Sequence, residues 1–350
     1  MKRASVLFGG KLVVGAVLLL FVYHHLSLDD VALELRRLRF PPLVAFTAIL
    51  FANTFLSALK WKWLLEADGI KLSIRTLFGS CLIGTFFNLF LPSTVGGDTY
   101  RIASIGRGRI VKSTAAVLAD RLSGLIALAT ICTIFAATHH HVVGHRAIVI
   151  IPSLLLIAQV VLSTVLLWPA KGRGLLLRLG FGRILPRFSS FMDRLFLSFQ
   201  SYRQRPSLLL KILVISFLFQ ILFVAAIYCL SRALALSIPL SSFMVFVPIV
   251  EIFESIPISI YGLGLRDAGY VFFFKQIRLP NAEASALAVS VLYVVMTAGY
   301  AALGGLLLAN RLLKGGGLQN LVRSQTPGVV SSAIAPTQDA AGRNPRGTED

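Results

Sequence analysis

The chain has 350 residues, 56% of them hydrophobic and only 14% charged, with a mean hydropathy of +0.79. That composition excludes a soluble globular enzyme and marks an integral membrane protein. Its formal charge of +19 does not imply nucleic-acid binding, because the basic residues cluster in loops between apolar runs, as the positive-inside bias requires, and form no basic face interleaved with exposed aromatics.

The N-terminal stretch MKRASVLFGGKLVVGAVLLLFVYHHL starts basic and turns apolar but lacks a small-x-small cleavage site, so residues 5–26 are read as an uncleaved first span. The following SLDDVALELRRLRFPP balances three acids against three arginines and is placed outside. A second span, 43–63, ends in KWKW at an interface. The loop after it is read as holding Lys60, Lys62, Lys71 and Arg75 against two acids, and is placed inside.

The next apolar segment, 76–91, is about 24 Å long as a helix, short for a hydrocarbon core of roughly 30 Å. It runs into LPSTVGGDTYR, and Arg101, Arg107, Arg109 and Lys112 follow with no acid after Asp98. A crossing helix would put that basic loop outside, whereas a re-entrant hairpin turning at Pro92–Asp98 keeps it inside. The glycines Gly96 and Gly97 permit the reversal, and irregular backbone at membrane depth requires protein or a wet cavity around it.

Spans at 114–138 and 147–168 follow, with His139, His140, His141 and His145 in the short outer loop read as polar surface and no metal site assigned. Residues 169–206 carry eight basic residues against Asp193, and are placed inside. Within them Phe188, Phe191, Met192, Leu195 and Phe199 recur at helical spacing, which suits a helix lying flat on the membrane surface or one packed on the spans. A span at 207–231 leads to a second interrupted segment, 241–274, which contains Pro248, Glu251, Glu254, Pro257, Gly262, Gly264, Arg266 and Asp267. The last span is 284–309. The expected fold is all-α, with about six spanning helices and two re-entrant hairpins entering from opposite sides, the arrangement of an inverted repeat with its site near the midplane. The transmembrane domain covers 1–312, and 313–350, rich in Gly, Ser, Thr, Pro and Ala, is expected to be a disordered cytoplasmic tail. Cys81, Cys132 and Cys229 lie in apolar runs and imply no disulfide framework.

Ionisable groups within a membrane segment cost at least ~2.5–3.5 kcal/mol each. Here they come in sets: Asp98 with Arg101, Asp120 with Arg121, Glu251 with Glu254, and Arg266 with Asp267. One reading makes them structural pairs that hold the hairpins. The other is a polar cavity, in which arginine forks and the backbone N–H groups of Gly96, Gly97, Gly262 and Gly264 meet a phosphate. In that cavity Glu251 and Glu254, on one helical face, bind a cation or relay protons. No P-loop, HExxH helix or GxSxG elbow is present, and GLGLRD follows no strand; no cofactor is expected.

The motifs NLFLPSTVGGDTYR (88–101), ADRLSGL (119–125) and PISIYGLGLRDAG (257–269) resemble the flippase-like transmembrane family named for the membrane region of lysylphosphatidylglycerol synthases. The resemblance covers nearly all of 5–312. It implies movement of a lipid between leaflets, with stand-alone relatives linked to phospholipid, isoprenoid-lipid or glycolipid pathways. It marks Asn88, Pro92, Gly96, Gly97, Asp98, Arg101, Asp120, Arg121, Gly124, Pro257, Gly262, Gly264, Arg266 and Asp267, the last more usually glutamate. The aminoacyl-transfer domain of the synthases has no counterpart after residue 312, so the expectation is a lipid translocator in the inner membrane with both termini cytoplasmic. The alternative is a membrane enzyme acting on a lipid phosphate, with Asp98 or Glu251 as base.

Overall fold

The computed structural model describes Leu35 and residues 38–90, 95–138, 147–167, 186–255 and 264–315. The first span, the histidine loop, Pro92, Pro257, Gly262 and the tail beyond 315 lie outside the described residues. Everything described is helix or short connection. In chain order the helices are α1 (Phe40–Ala67), α2 (Ile74–Phe90), α3 (Val95–Ser104), α4 (Ile110–Thr138), α5 (Ala147–Leu167), α6 (Pro186–Arg203), α7 (Pro206–Ala233), α8 (Leu240–Ser255), α9 (Leu265–Gln276) and α10 (Ala282–Gly315). Among them α1, α4, α7 and α10 are long and apolar enough to cross a membrane, while α2 and the Pro152–Leu167 part of α5 are shorter apolar helices. The chain is an all-α membrane protein. Rows of exposed aliphatic side chains, such as Leu154, Ile157 and Val161 on α5 and Leu210, Val214, Leu218 and Ile221 on α7, are what a lipid-facing surface requires.

Helix ends follow local chemistry. Prolines open α1 and α7, where their missing N–H costs nothing. Helix α1 closes on Gly69 at φ 79°, with the Ile70 N–H donating to Leu65 O at 2.8 Å. α1 and α7 are antiparallel partners: the Arg39 N–H at the start of α1 donates to Ala233 O at the end of α7 (2.8 Å), and Lys60 reaches Ser216 further along. The connection into α2 leaves the far end of this pair, and the connection into α8 leaves the near end. The two interrupted segments, α2–α3 and α8–α9, therefore enter the bundle from opposite ends.

Helix α2 is wedged between α1, α3 and α10. At Gly304 of α10, an added Cβ would collide with the Leu82 carbonyl, and at Gly305 it would lie 2.6 Å from the Phe86 ring. These glycines let α10 approach the α2 backbone, the small-residue contact common between membrane helices.

Helix α6 is packed on the spans. Leu195, Phe196 and Phe199 are buried in a core with Trp61, Leu64, Leu65 and Ile212. Its far end is pinned to the α1–α2 turn, since Tyr202 Oη donates to Asp68 Oδ2 (2.8 Å) and Ser201 Oγ to Asp68 Oδ1 (3.0 Å). Burial and the adjacent carboxylate push the Tyr202 hydroxyl above its usual range.

Two apolar cores fill opposite ends of the bundle. One gathers Phe46, Leu128, Val224 and the buried residues of α8, α9 and the start of α10; the other gathers Ala58 to Ile70, Ala115 to Leu122 and Ile212. Between and beside them sit the polar side chains of Thr54, Lys60, Asp120, Ser123, Ser216 and Gln220.

Candidate functional site

The break between α2 and α3 is held by Asn88, whose Oδ1 accepts the Gly97 N–H at 2.7 Å. Gly97 is there for space. A Cβ would lie 2.5 Å from Gly84 O and 2.7 Å from Asn88 Oδ1. Its φ is not among the positive values, so close approach, not a left-handed turn, demands glycine. Gly96 is buried beside it in the first turn of α3.

That turn aims Asp98 and Arg101 at α4, and the charges pair across helices. Arg101 Nη1 lies 3.1 Å from Asp120 Oδ2 and 3.5 Å from Asp98 Oδ1, while Arg121 Nε donates to Asp98 Oδ2 at 2.7 Å. Arg101 thus keeps Asp98, one turn away on the same face, and adds Asp120 of α4, while Arg121 turns from its neighbour Asp120 to Asp98 of α3, because adjacent residues of a helix point in different directions. A fifth member corrects the sequence reading of Lys60 as a loop residue. Helix α1 continues to Ala67, and Lys60 turns inward, 3% exposed, with Nζ 2.6 Å from Asp120 Oδ1.

Arg101 is 6% exposed and lies 4.7 Å over the indole of Trp61. Its Nη1 serves Asp120 and Asp98, yet Nε and Nη2 are buried with no hydrogen-bond partner. Leaving a buried donor unsatisfied costs about 1–3 kcal/mol, so these N–H groups call for an acceptor.

A second cluster forms at the α8–α9 break. Gly264 caps α9 at φ 80°, and its N–H donates to Asp267 Oδ2 at 2.9 Å. Arg266, 2% exposed, stacks 4.4 Å over Tyr293 and donates from Nε to Ser290 Oγ at 3.1 Å; Glu254 Oε1 is 3.9 Å from the same nitrogen. Ser290 in turn donates to Asp267 Oδ1. Ser290 links Arg266 to Asp267, which also lies within electrostatic reach of the guanidinium. Asp267 is held by the helix cap and this hydroxyl, so its shorter reach than glutamate suits a local role.

Glu251 lies on the same helix as Glu254, facing Gln220 of α7 and within electrostatic reach of Arg121. Gln220 Nε2 donates to Gly124 O at 3.3 Å. Of the residues expected to form the site, Asp98, Arg101, Asp120 and Arg121 meet in one cluster, and Arg266, Asp267 and Glu254 in another. Asn88, Gly96, Gly97 and Gly264 shape the breaks, and Gly262 lies outside the described residues. Lys60, Trp61, Ser216, Gln220, Ser290 and Tyr293 join them unannounced. A lysine within an apolar run was the available signal for Lys60. Serines and aromatics in such runs carry none. Among the described residues no His, Cys, Asp and Glu group has the makings of a metal site. A cavity of about 370 Å³ lined by Trp63, Glu66, Arg205 and Lys211 opens at the α6–α7 corner, away from both clusters.

Among curated proteins none matches the chain in sequence. The family model described as the lysylphosphatidylglycerol synthase TM region matches residues 9–304, a stretch that begins ahead of α1, takes in both breaks and ends inside α10. It also associates the chain with membrane lipids. With most of its length matched, the chain belongs to the lysylphosphatidylglycerol synthase TM region family.

Proposed function

We propose that the protein moves a membrane lipid between leaflets, passing a phosphate-bearing headgroup through the polar layer while the tail stays in lipid. The observation that carries this reading is Arg101: a buried guanidinium with one nitrogen fixed by carboxylates and two N–H groups left unpaired. A planar fork held in this way suits a phosphate. The two breaks bring charged helix starts into the bundle from opposite ends, as expected of a transporter with a central site. Arg266 is the corresponding group at the second break. The reading takes the protein to sit in the inner membrane with both termini cytoplasmic, the orientation that the basic loops favour. A phospholipid, an isoprenoid lipid or a glycolipid would each supply the phosphate.

The test is Arg101→Lys in protein reconstituted into liposomes with headgroup-labelled anionic phospholipid. Lysine keeps the charge beside Asp120 and loses the unpaired N–H groups, so the variant is expected to fold as well as the parent or better and to lose most lipid transfer. Equal transfer by both proteins overturns the reading. A new lipid species on chromatography, without transfer, replaces it with a membrane enzyme acting on a lipid phosphate.

A further inference from the structure

Beside the two arginine clusters lies a carboxyl group with an unpaired oxygen. Glu251 Oε2 is enclosed and has no hydrogen-bond partner, and Gln220, 5% exposed, leaves its own Oε1 equally unpaired after Nε2 goes to Gly124. Gln220 and Gly124 lie near the middle of α7 and α4, so this is the centre of the bundle. The Gln220 amide N–H also reaches the Glu251 carboxyl, yet two acceptors, Glu251 Oε2 and Gln220 Oε1, are left without a donor. One proton on Glu251 supplies that donor.

The surroundings make the proton consequential. Helix α8 packs against α4, α7 and α9. From α4 the charged group nearest Glu251 is Arg121; from α9 the titratable group facing it is Tyr270; on α8 itself Glu254 lies one turn away, turned towards Arg266; α7 offers the neutral Gln220 amide. Arg121 is also the partner of Asp98 at the first break. Pro248, three residues before Glu251, removes a backbone hydrogen bond inside α8 and lets this helix adjust its course.

We propose that Glu251 is a proton-binding site that couples the two breaks: protonated, it donates to Gln220 Oε1; ionised, it turns to Arg121 and competes with Asp98. In the step the carboxyl O–H bond breaks, its electron pair stays on oxygen, the proton passes to water, and the charge at the centre falls by one. The coupling role rests on the lipid-transfer reading, whereas the proton site rests on the unpaired oxygens alone. Lipid transfer is then linked to a proton, which gives the movement a direction when a pH gradient exists.

Two measurements separate these claims. Protein in lipid nanodiscs is titrated from mildly acidic to mildly alkaline pH and followed by infrared difference spectroscopy. A protonated-carboxyl band that fades as pH rises is expected in the parent and in Glu254→Gln, and is expected to be absent in Glu251→Gln. No such band in the parent, or a band lost only in Glu254→Gln, overturns the proton site whatever the lipid does. Binding of short-chain phosphatidylglycerol is then measured by calorimetry in buffers of different ionisation enthalpy. About one proton exchanged per lipid is expected for the parent, and none for Glu251→Gln. A count unchanged by the substitution overturns the coupling. A titrating Glu251 with no lipid binding keeps the proton site and overturns both the coupling and the lipid reading.

Discussion

Replacing Gly97 by alanine adds one methyl group where the structure has no room. The new Cβ would sit 2.5 Å from the Gly84 carbonyl oxygen and 2.7 Å from Asn88 Oδ1. The first of these is backbone in a helix wedged between three neighbours, so relief must come from moving α3. Forcing extra volume into a packed site costs roughly 1–3 kcal/mol, and pulling the Gly97 N–H off Asn88 adds about 1 kcal/mol. A total of about 2–4 kcal/mol shifts the equilibrium between the closed and opened break by roughly thirty-fold to a thousand-fold. Because α3 carries Asp98 and Arg101, the charge cluster opens with it. The expected result is a lower melting temperature in detergent and loss of lipid transfer in liposomes. Gly124→Ala is the control, since nothing lies within 4 Å of its added Cβ and alanine favours helix by up to about 1 kcal/mol. If Gly97→Ala melts and transfers like the parent, or if Gly124→Ala suffers the greater loss, the close-approach argument is wrong.

Other perturbations probe the same architecture. Asp120→Ala strands Lys60 and Arg101 in the bundle, which should cost about 3–5 kcal/mol and sharply reduce folded protein on size-exclusion chromatography, while Lys60→Met combined with Asp120→Asn recovers part of it; a folded yield equal to the parent's would show that the carboxylate does not hold these cations. Tyr202→Phe removes a hydrogen bond to a carboxylate worth about 1.5–3 kcal/mol, so hydrogen exchange in α6 should quicken while the α1–α7 pair stays protected, and unchanged exchange in α6 would deny the pin to Asp68. In a background free of cysteine, single cysteines at positions 104–112 should react only with reagent supplied from the cytoplasmic side; labelling from outside would make α2 a crossing helix.

The sequence alone determined the membrane class, the positions of most long helices and the two breaks in them. Hydrophobic length, loop charge and clustered Pro and Gly are local quantities, and lipid punishes any unpaired backbone strongly enough to make them decisive. It also singled out Asp98, Arg101, Asp120 and Arg121 as a set of charges among the helices, because so few ionisable residues interrupt the apolar runs. Asp98 and Arg101, one turn apart, do pair, whereas the grouping of Asp120 with Arg121 rested on adjacency along the chain and missed their partners on α1 and α3. The ion pairs that cross from α3 to α4, the inward turn of Lys60 and the seating of α6 on the core depend on the rotation of each helix about its axis and on which helix lies beside it. Those follow from packing, such as the approach of Gly304 to Leu82. Ser290 and Gln220 stayed invisible for the same reason: a serine or glutamine in an apolar run becomes part of a site only through the side chain that tertiary contact sets against it, here Asp267 for one and Glu251 for the other.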